Sequence, residues 1–290
     1  MIGVEEILNI LKVAVWSGAL KGERPLSIMI IASVGAGKTT MLKKVHRKGS
    51  IDRVSVGKGE KAKEIEVRRI LGSVLYTTST TPYVLCNRYG QLLKSGQIKH
   101  IAIPDFLSIL NLPRHVYAST LNFYNSLVEE GVLSIESRDG HFVTEVPVQV
   151  GLLSTIAIQD LHFHQEEWAN IGFLSRVLPI SFSYNNHTMT SIRKSIKQRE
   201  YLKEAESFNI TLPEEPQYIH LPGELADIIE QVAMETKDSN DVLGGRRQKQ
   251  LQVFCMARAL AQGRDHVNDS DVALLQNYKK YFNTNCSVKI

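Results

Sequence analysis

The chain is poor in cysteine: Cys86, Cys255 and Cys286 are its three, odd in number and far apart in 290 residues. No C-x-x-C pair occurs, so neither a disulfide framework nor a cysteine-based zinc site is indicated. Positive charge is missing where a secretory leader needs it. The opening residues, MIGVEEILNILKVAVWSGAL, carry Glu5 and Glu6 at that place, and Lys12 interrupts the apolar run short of membrane-spanning length. Val4, Leu8, Leu11 and Val15 recur at helical spacing instead, which predicts an amphipathic packing helix, no membrane segment and a cytoplasmic protein. Internal repeats and low-complexity tracts are also absent.

What is present is a soluble globular composition, 43% hydrophobic and 22% charged, with a formal net charge of +4. The mild basic excess is compatible with an acidic partner. The length suits one large domain, or a core with a smaller second domain.

Short apolar runs at 73–78, 98–103, 151–158 and 177–184 alternate with helical patterns, which predicts an α/β core with a mostly parallel sheet. Residues 47–63, polar and lysine-rich with Gly49, Gly57 and Gly59, read as an exposed loop. Residues 132–150 hold two β-prone segments around Arg138-Asp139-Gly140, a hairpin signal. From about 188 onward the pattern becomes helical, which predicts a compact all-helical C-terminal domain.

The stretch IASVGAGKTT at 31–40 follows an apolar strand and precedes a helical pattern. Its ending has the form of a phosphate-binding loop, with Ala32 where the first glycine of G-x-x-x-x-G-K-[ST] belongs. Backbone N–H groups from Val34 through Gly35, Ala36, Gly37 and Lys38 to Thr39 could cradle phosphates, with Thr40 next to them. Lys38 would reach the terminal phosphates and the Thr39 hydroxyl would ligate Mg²⁺. Gly35 and Gly37 allow the close backbone approach that a Cβ would obstruct.

Such a loop needs a second strand ending in an acid, and KHIAIPDF at 99–106 supplies Asp105, the expected second Mg²⁺ ligand. Asp105 is equally placed to cap the helix that follows, and both roles can coexist. Hydrolytic proteins of this kind mostly put a glutamate next, to polarise the attacking water. Here the residue is Phe106.

The form A-x-x-G-x-G-K-T resembles the variant loop of the AAA+ ATPase superfamily, with Gly35 as its middle glycine. Two later stretches are similar to minichromosome-maintenance helicases. Gly172-Phe173-Leu174-Ser175-Arg176-Val177-Leu178 looks like that clade's L-L-S-R-F-D segment, with Val177-Leu178 in place of F-D, and there the arginine reaches a neighbouring subunit's nucleotide site. GRRQKQL at 245–251, the Ala-rich run at 257–261 and the Gly263-Arg264 turn before Asn268-Asp269-Ser270-Asp271 look like its lid. The resemblance implies Arg176 as an arginine finger and Arg246, or by a one-residue slip Arg247, as the second sensor of the γ-phosphate. It also implies a pore hairpin at 132–150 that grips DNA, with Arg138 as the nearest cation to the family's tip lysine. The first sensor falls to Thr155, Ala157 or Gln159.

The fold expected is therefore a P-loop NTPase core of AAA+ type at 1–187, with the hairpin as an insertion, and a helical lid at 188–290. The activity expected is ATP hydrolysis with Mg²⁺ in a homo-oligomeric ring or filament, helicase-like and associated with DNA. A protein-remodelling ATPase and an ATP-gated scaffold with little hydrolysis are the alternatives. His162 and His164, without nearby cysteine, read as structural rather than metal-binding. The basic stretch 42–69 is interleaved with Glu60, Glu64 and Glu66, and its cations do not alternate with aromatics, so no single-strand stacking platform is indicated.

Overall fold

The computed structural model describes residues 2–46, 51–56, 63–68, 73–78, 80–137, 140–199, 207–237 and 244–290. Its centre is a five-stranded parallel sheet. Strand β1 (Ile28–Ala32) lies between β8 (Gly151–Ala157) and β9 (Leu178–Ser181), and β5 (His100–Ile103) and β4 (Val74–Tyr76) continue the sheet beyond β8. β1 reads IMIIA and is buried throughout, as expected of a strand covered on both faces. The pleat sends its side chains to opposite sides. Ile28, Ile30 and Ala32 join one apolar cluster, and Met29 and Ile31 the other.

The first cluster includes α1 (Glu5–Ser17) and the helices of the C-terminal region, α9 (Gly223–Thr236), α10 (Gly245–Ala261) and α11 (Asp269–Tyr278). The predicted N-terminal helix is thus present, and it packs on α10 as well as on the sheet. The second cluster is built from α3 (Pro82–Lys94), α5 (Arg114–Val128) and α6 (Ile158–Asn170). Helices on both faces of a parallel sheet make this a mixed α/β, P-loop NTPase-like fold, as the alternating pattern predicted.

Two further strand pairs stand outside the sheet. β6 (Val132–Ser137) and β7 (Gly140–Val148) form the predicted hairpin, and β7 rests on α3 near the turn end, where Phe142 packs close to Gly90 and under Lys94. β2 (Ile51–Val56) pairs antiparallel with β3 (Lys63–Arg68). The exposed loop expected over 47–63 is corrected there: Val54-Ser55-Val56 in β2 and Ile65-Glu66-Val67 in β3 are short alternating runs of β-branched residues, a strand signal that the lysines and glycines around them obscured.

In the C-terminal region Asp271 is fully buried and accepts two 2.7 Å bonds from Arg264 and one from Arg258. It also closes a capping box with Asn268 at the start of α11. The chain end then returns to the sheet. Ser183 N donates to Val288 O (2.8 Å) and Ile290 N to Ser183 O (2.9 Å), so the last residues run alongside the segment that leaves β9. Among the described residues no helix is long and apolar enough to cross a membrane.

Candidate functional site

The loop 33–37 leaves the carboxyl end of β1 and enters α2 (Lys38–Lys43). Gly35 and Gly37 both hold left-handed backbone, φ 79° and 75°, a conformation that side chains with a Cβ disfavour. The space around Gly35 is open, while Ala36 is buried and its carbonyl accepts the Tyr184 hydroxyl at 2.9 Å. Val34, Thr39 and Thr40 face outward. The Lys38 ammonium folds over the loop and donates to the carbonyls of Ala32 (2.9 Å) and Ser33 (2.8 Å). Partial burial lowers its pKa, against the opposing charges of Asp105 and Asp160.

Those charges locate the rest of this end of the molecule. β5 runs beside β8, and Phe106 N donates to Thr155 O (2.9 Å), which sets Asp105 at the carboxyl edge of the sheet. Thr39 Oγ1 reaches toward the Pro104 carbonyl at 3.5 Å, linking the start of α2 to the same turn. Asp105 is exposed and accepts from Leu107 N (3.1 Å) at the head of α4 (Leu107–Leu110). The helix-capping role is therefore present, beside a carboxylate that Lys38 feels.

Phe106 is turned away from this surface. Its ring is fully buried, edge-on to Trp168 and stacked on Phe173, with centroids 5.3 and 5.2 Å away. The side chain that follows Asp105 thus belongs to the apolar core beneath the sheet. Of the residues expected at the first sensor, Thr155 is buried with its hydroxyl donating to Pro104 O (2.6 Å), Ala157 is buried, and Gln159 is exposed. Asp160, in the first turn of α6, is a second carboxylate after Asp105 whose charge raises the Lys38 pKa. Sequence reasoning missed it. Its signal was an acid three residues beyond a strand that ends level with Ala32, since Ala157 and Ala32 are register partners.

The arginines lie elsewhere. Arg176 ends the short helix α7 (Phe173–Arg176) just before β9 begins, and Leu178 N donates to Ser27 O at the amino end of β1. Arg176 Nε is 2.5 Å from Glu129 Oε2, and its Nη1 donates to Gly172 O at 2.8 Å. Arg246, in the first turn of α10, donates from Nε to Glu129 Oε1 (3.1 Å) and from Nη1 to Ser175 Oγ (3.0 Å). Arg24, in the segment before β1, stands 3.3 Å from the same carboxylate. Arg247, the next residue of α10, is buried. Burial pushes the Glu129 carboxyl up, but Arg176, Arg246 and Arg24 outweigh it and hold it below the ordinary carboxylate range.

Around this group is a cavity of about 680 Å³, bordered by Arg24, Glu129, Arg176, Arg246 and Lys249. It lies beyond the amino end of β1, whereas the loop lies beyond the carboxyl end, with roughly 13 Å of strand between. Lys38 and Asp105 are therefore brought together, and Arg176 and Arg246 are brought together, but the two pairs occupy opposite ends of one sheet. Arg138, the cation expected for a pore hairpin, lies outside the described residues.

Neither a protein-family model nor a curated protein matches the sequence. Among solved structures the fold is similar to that of a full-length MCM homolog from Methanopyrus kandleri, with a TM-score of 0.50 at 14% identity, over 97% of this chain. The chain spans 56% of that protein's length. The likeness is one of fold.

Proposed function

We propose that the protein is an oligomeric AAA+-type ATPase, with a core at 1–187 and a helical lid at 188–290, whose ATP site is completed by a neighbouring copy. The observation that carries this reading is the division just described. One end of the sheet offers a phosphate loop with a lysine and a carboxylate, and the other offers two arginines delivered by separate elements. Stacked head to tail, each chain would present its arginine end to the next chain's loop, a heterologous contact of the kind that closes rings or extends filaments.

Within one site the chain's residues take these roles. The loop's N–H groups and Lys38 would hold the β- and γ-phosphates, Lys38 exchanging its two loop carbonyls for phosphate oxygens. The Thr39 hydroxyl and Asp105 have the oxygen donors that suit Mg²⁺, which supplies charge neutralisation on the terminal phosphates when bound. Arg176 and Arg246 of the neighbour would stabilise charge developing on the transferred phosphoryl group. With Phe106 in the core, Asp160 is the carboxylate left to orient the attacking water beside Lys38.

A motor that acts on DNA through the 132–150 hairpin is the form we favour, supported by the hairpin's presence and by the fold likeness to an MCM homolog. The buried Phe106 favours slow turnover, and so lends weight to a second reading, an ATP-gated scaffold. Mixing decides the main point. Arg176→Ala protein should bind ATP normally yet turn over poorly, and adding Lys38→Ala protein should restore activity through mixed sites. A mixture as inactive as its components would refute a shared site. DNA stimulation of turnover separates the motor from the scaffold.

A further inference from the structure

Glu129 stands at a place where a carboxylate is out of character. It is the residue that ends α5, where the helix dipole presents negative charge and disfavours an acid. It is also largely buried, with 14% of its side chain exposed, so an unpaired charge there would be costly. Both penalties are met by guanidiniums. Arg176 approaches one carboxylate oxygen, and Arg246 and Arg24 the other.

The bonding is selective. Arg246 Nε donates to Glu129 Oε1 at 3.1 Å, while Arg176 Nε pairs with Oε2 by charge at 2.5 Å without the alignment of a hydrogen bond. One terminal nitrogen of each is occupied by the short helix that carries Arg176: Arg176 Nη1 on Gly172 O, and Arg246 Nη1 on Ser175 Oγ. Each guanidinium is a planar fork, so holding Nε and Nη1 sets where Nη2 points, and on Arg176 that nitrogen faces the exposed Glu130 carboxylate at 3.9 Å. Two such cations repel each other, and a carboxylate shared between them is what lets them sit side by side. The carboxylate is itself anchored, because the Glu129 carbonyl accepts Gln149 Nε2 at 2.6 Å and Gly131 N closes the turn on Ser126 O at 2.7 Å.

We propose that Glu129 is a positioning residue that joins Arg176 of the core and Arg246 of the lid into one preassembled receptor for the γ-phosphate bound by an adjacent copy. This rests on the shared ATP site proposed above. It adds that the two arginines work as a unit, and that the cavity of about 680 Å³ beside them is the entry for the neighbour's phosphate-bearing loop. A core arginine and a lid arginine tied to one carboxylate also make the lid's position a condition of catalysis.

The test uses full-length protein carrying Glu129→Gln, which keeps the size of the side chain and removes its charge. Affinity for a fluorescent ATP analogue should equal that of wild type, because the variant's own loop is untouched. Turnover should fall by about 10- to 100-fold, the scale of a misplaced catalytic group. In an Arg246→Ala background the same change should add little, as expected of residues that act together. Mixed with Lys38→Ala protein, which retains the arginine pair, Glu129→Gln protein should regain turnover.

Turnover at or above the wild-type level would overturn the proposal. So would a Glu129→Gln mixture that stays inactive while an Arg176→Ala mixture recovers, since Glu129 would then be supporting its own chain's fold. If neither mixture recovers, the shared site itself has failed and this inference falls with it.

Discussion

At the carboxyl end of β1 a run of consecutive residues, Ser33 to Thr39, makes the proposed phosphate loop from backbone and two glycines. At the amino end Glu129 gathers arginines from the segment before β1, the helix before β9 and the head of α10, spread from Arg24 to Arg246. The first construction depends on local geometry and tolerates Ala32, because the left-handed positions that matter are Gly35 and Gly37. The second depends on long-range packing and side-chain charge. If the two ends are halves of one site, damage at either should look alike in turnover and differ in nucleotide affinity.

The sharpest break in that comparison comes from Arg176→Ala. An arginine supplied in trans is worth on the order of a thousandfold or more in phosphoryl transfer, so turnover should fall by that much with ATP affinity unchanged. Lys38→Ala should lose both. Equal loss of affinity in the two variants would place Arg176 in its own chain's site and erase the distinction between the ends.

The next effect is on the C-terminal helices, the proposed lid. Asp271 is fully buried between Arg258 and Arg264, and Asp271→Ala leaves those cations without their partner and α11 without its capping box. A loss of about 3 kcal/mol is expected in a urea titration, somewhat short of the full penalty because both arginines are partly exposed. The arginine end, which draws Arg246 from this region, should suffer before the loop does. Turnover would therefore decline at urea concentrations that still permit nucleotide binding.

Asp160→Asn addresses the loop end. Removing a carboxylate that orients water typically costs about a hundredfold, without weakening ATP binding. Unchanged turnover would leave Asp160 as a first-turn acid that only complements the dipole of α6. It would also return attention to Phe106 as the mark of a protein that holds ATP more than it hydrolyses it.

How much of this was legible beforehand follows the same division. The strand, loop and helix around Lys38 were readable because they are contiguous, and the five sheet strands announced themselves as short apolar runs. Arg176 and Arg246 could be singled out one by one, but nothing in either stretch points to the other. Their meeting depends on how α10 packs beside α7, and Glu129 was hidden as one of two glutamates in a turn. Phe106 was read as an anomaly of the site, whereas its partners Trp168 and Phe173 lie more than sixty residues later and make it a core residue. The hairpin of β2 and β3 was missed because charge and glycine outweighed a short alternating pattern.

The smallest effect separates the ends by pH. His100 opens β5 at the amino end and is completely buried against Gly151, where an added Cβ would come within 2.5 Å of the imidazole. Burial pushes its pKa down to about 3, with the Leu26 carbonyl opposing and the Lys99 charge adding to the drop. In the unfolded chain the imidazole titrates near its ordinary value of about 6.5, so between the two values the unfolded state holds the extra proton. The stability His100 contributes is therefore complete above pH 6.5 and is lost as the pH falls toward 3, by up to about 1.4 kcal/mol per unit. Between pH 6.5 and 5 the Glu129 and Asp271 carboxyls, both held low by arginines, stay ionised and add no slope. Urea titrations across that window should show wild type weakening more steeply than His100→Leu. Parallel slopes would mean that the imidazole gains a proton without unfolding. Nucleotide affinity, set at the far end of the sheet, should hold constant until the whole domain gives way.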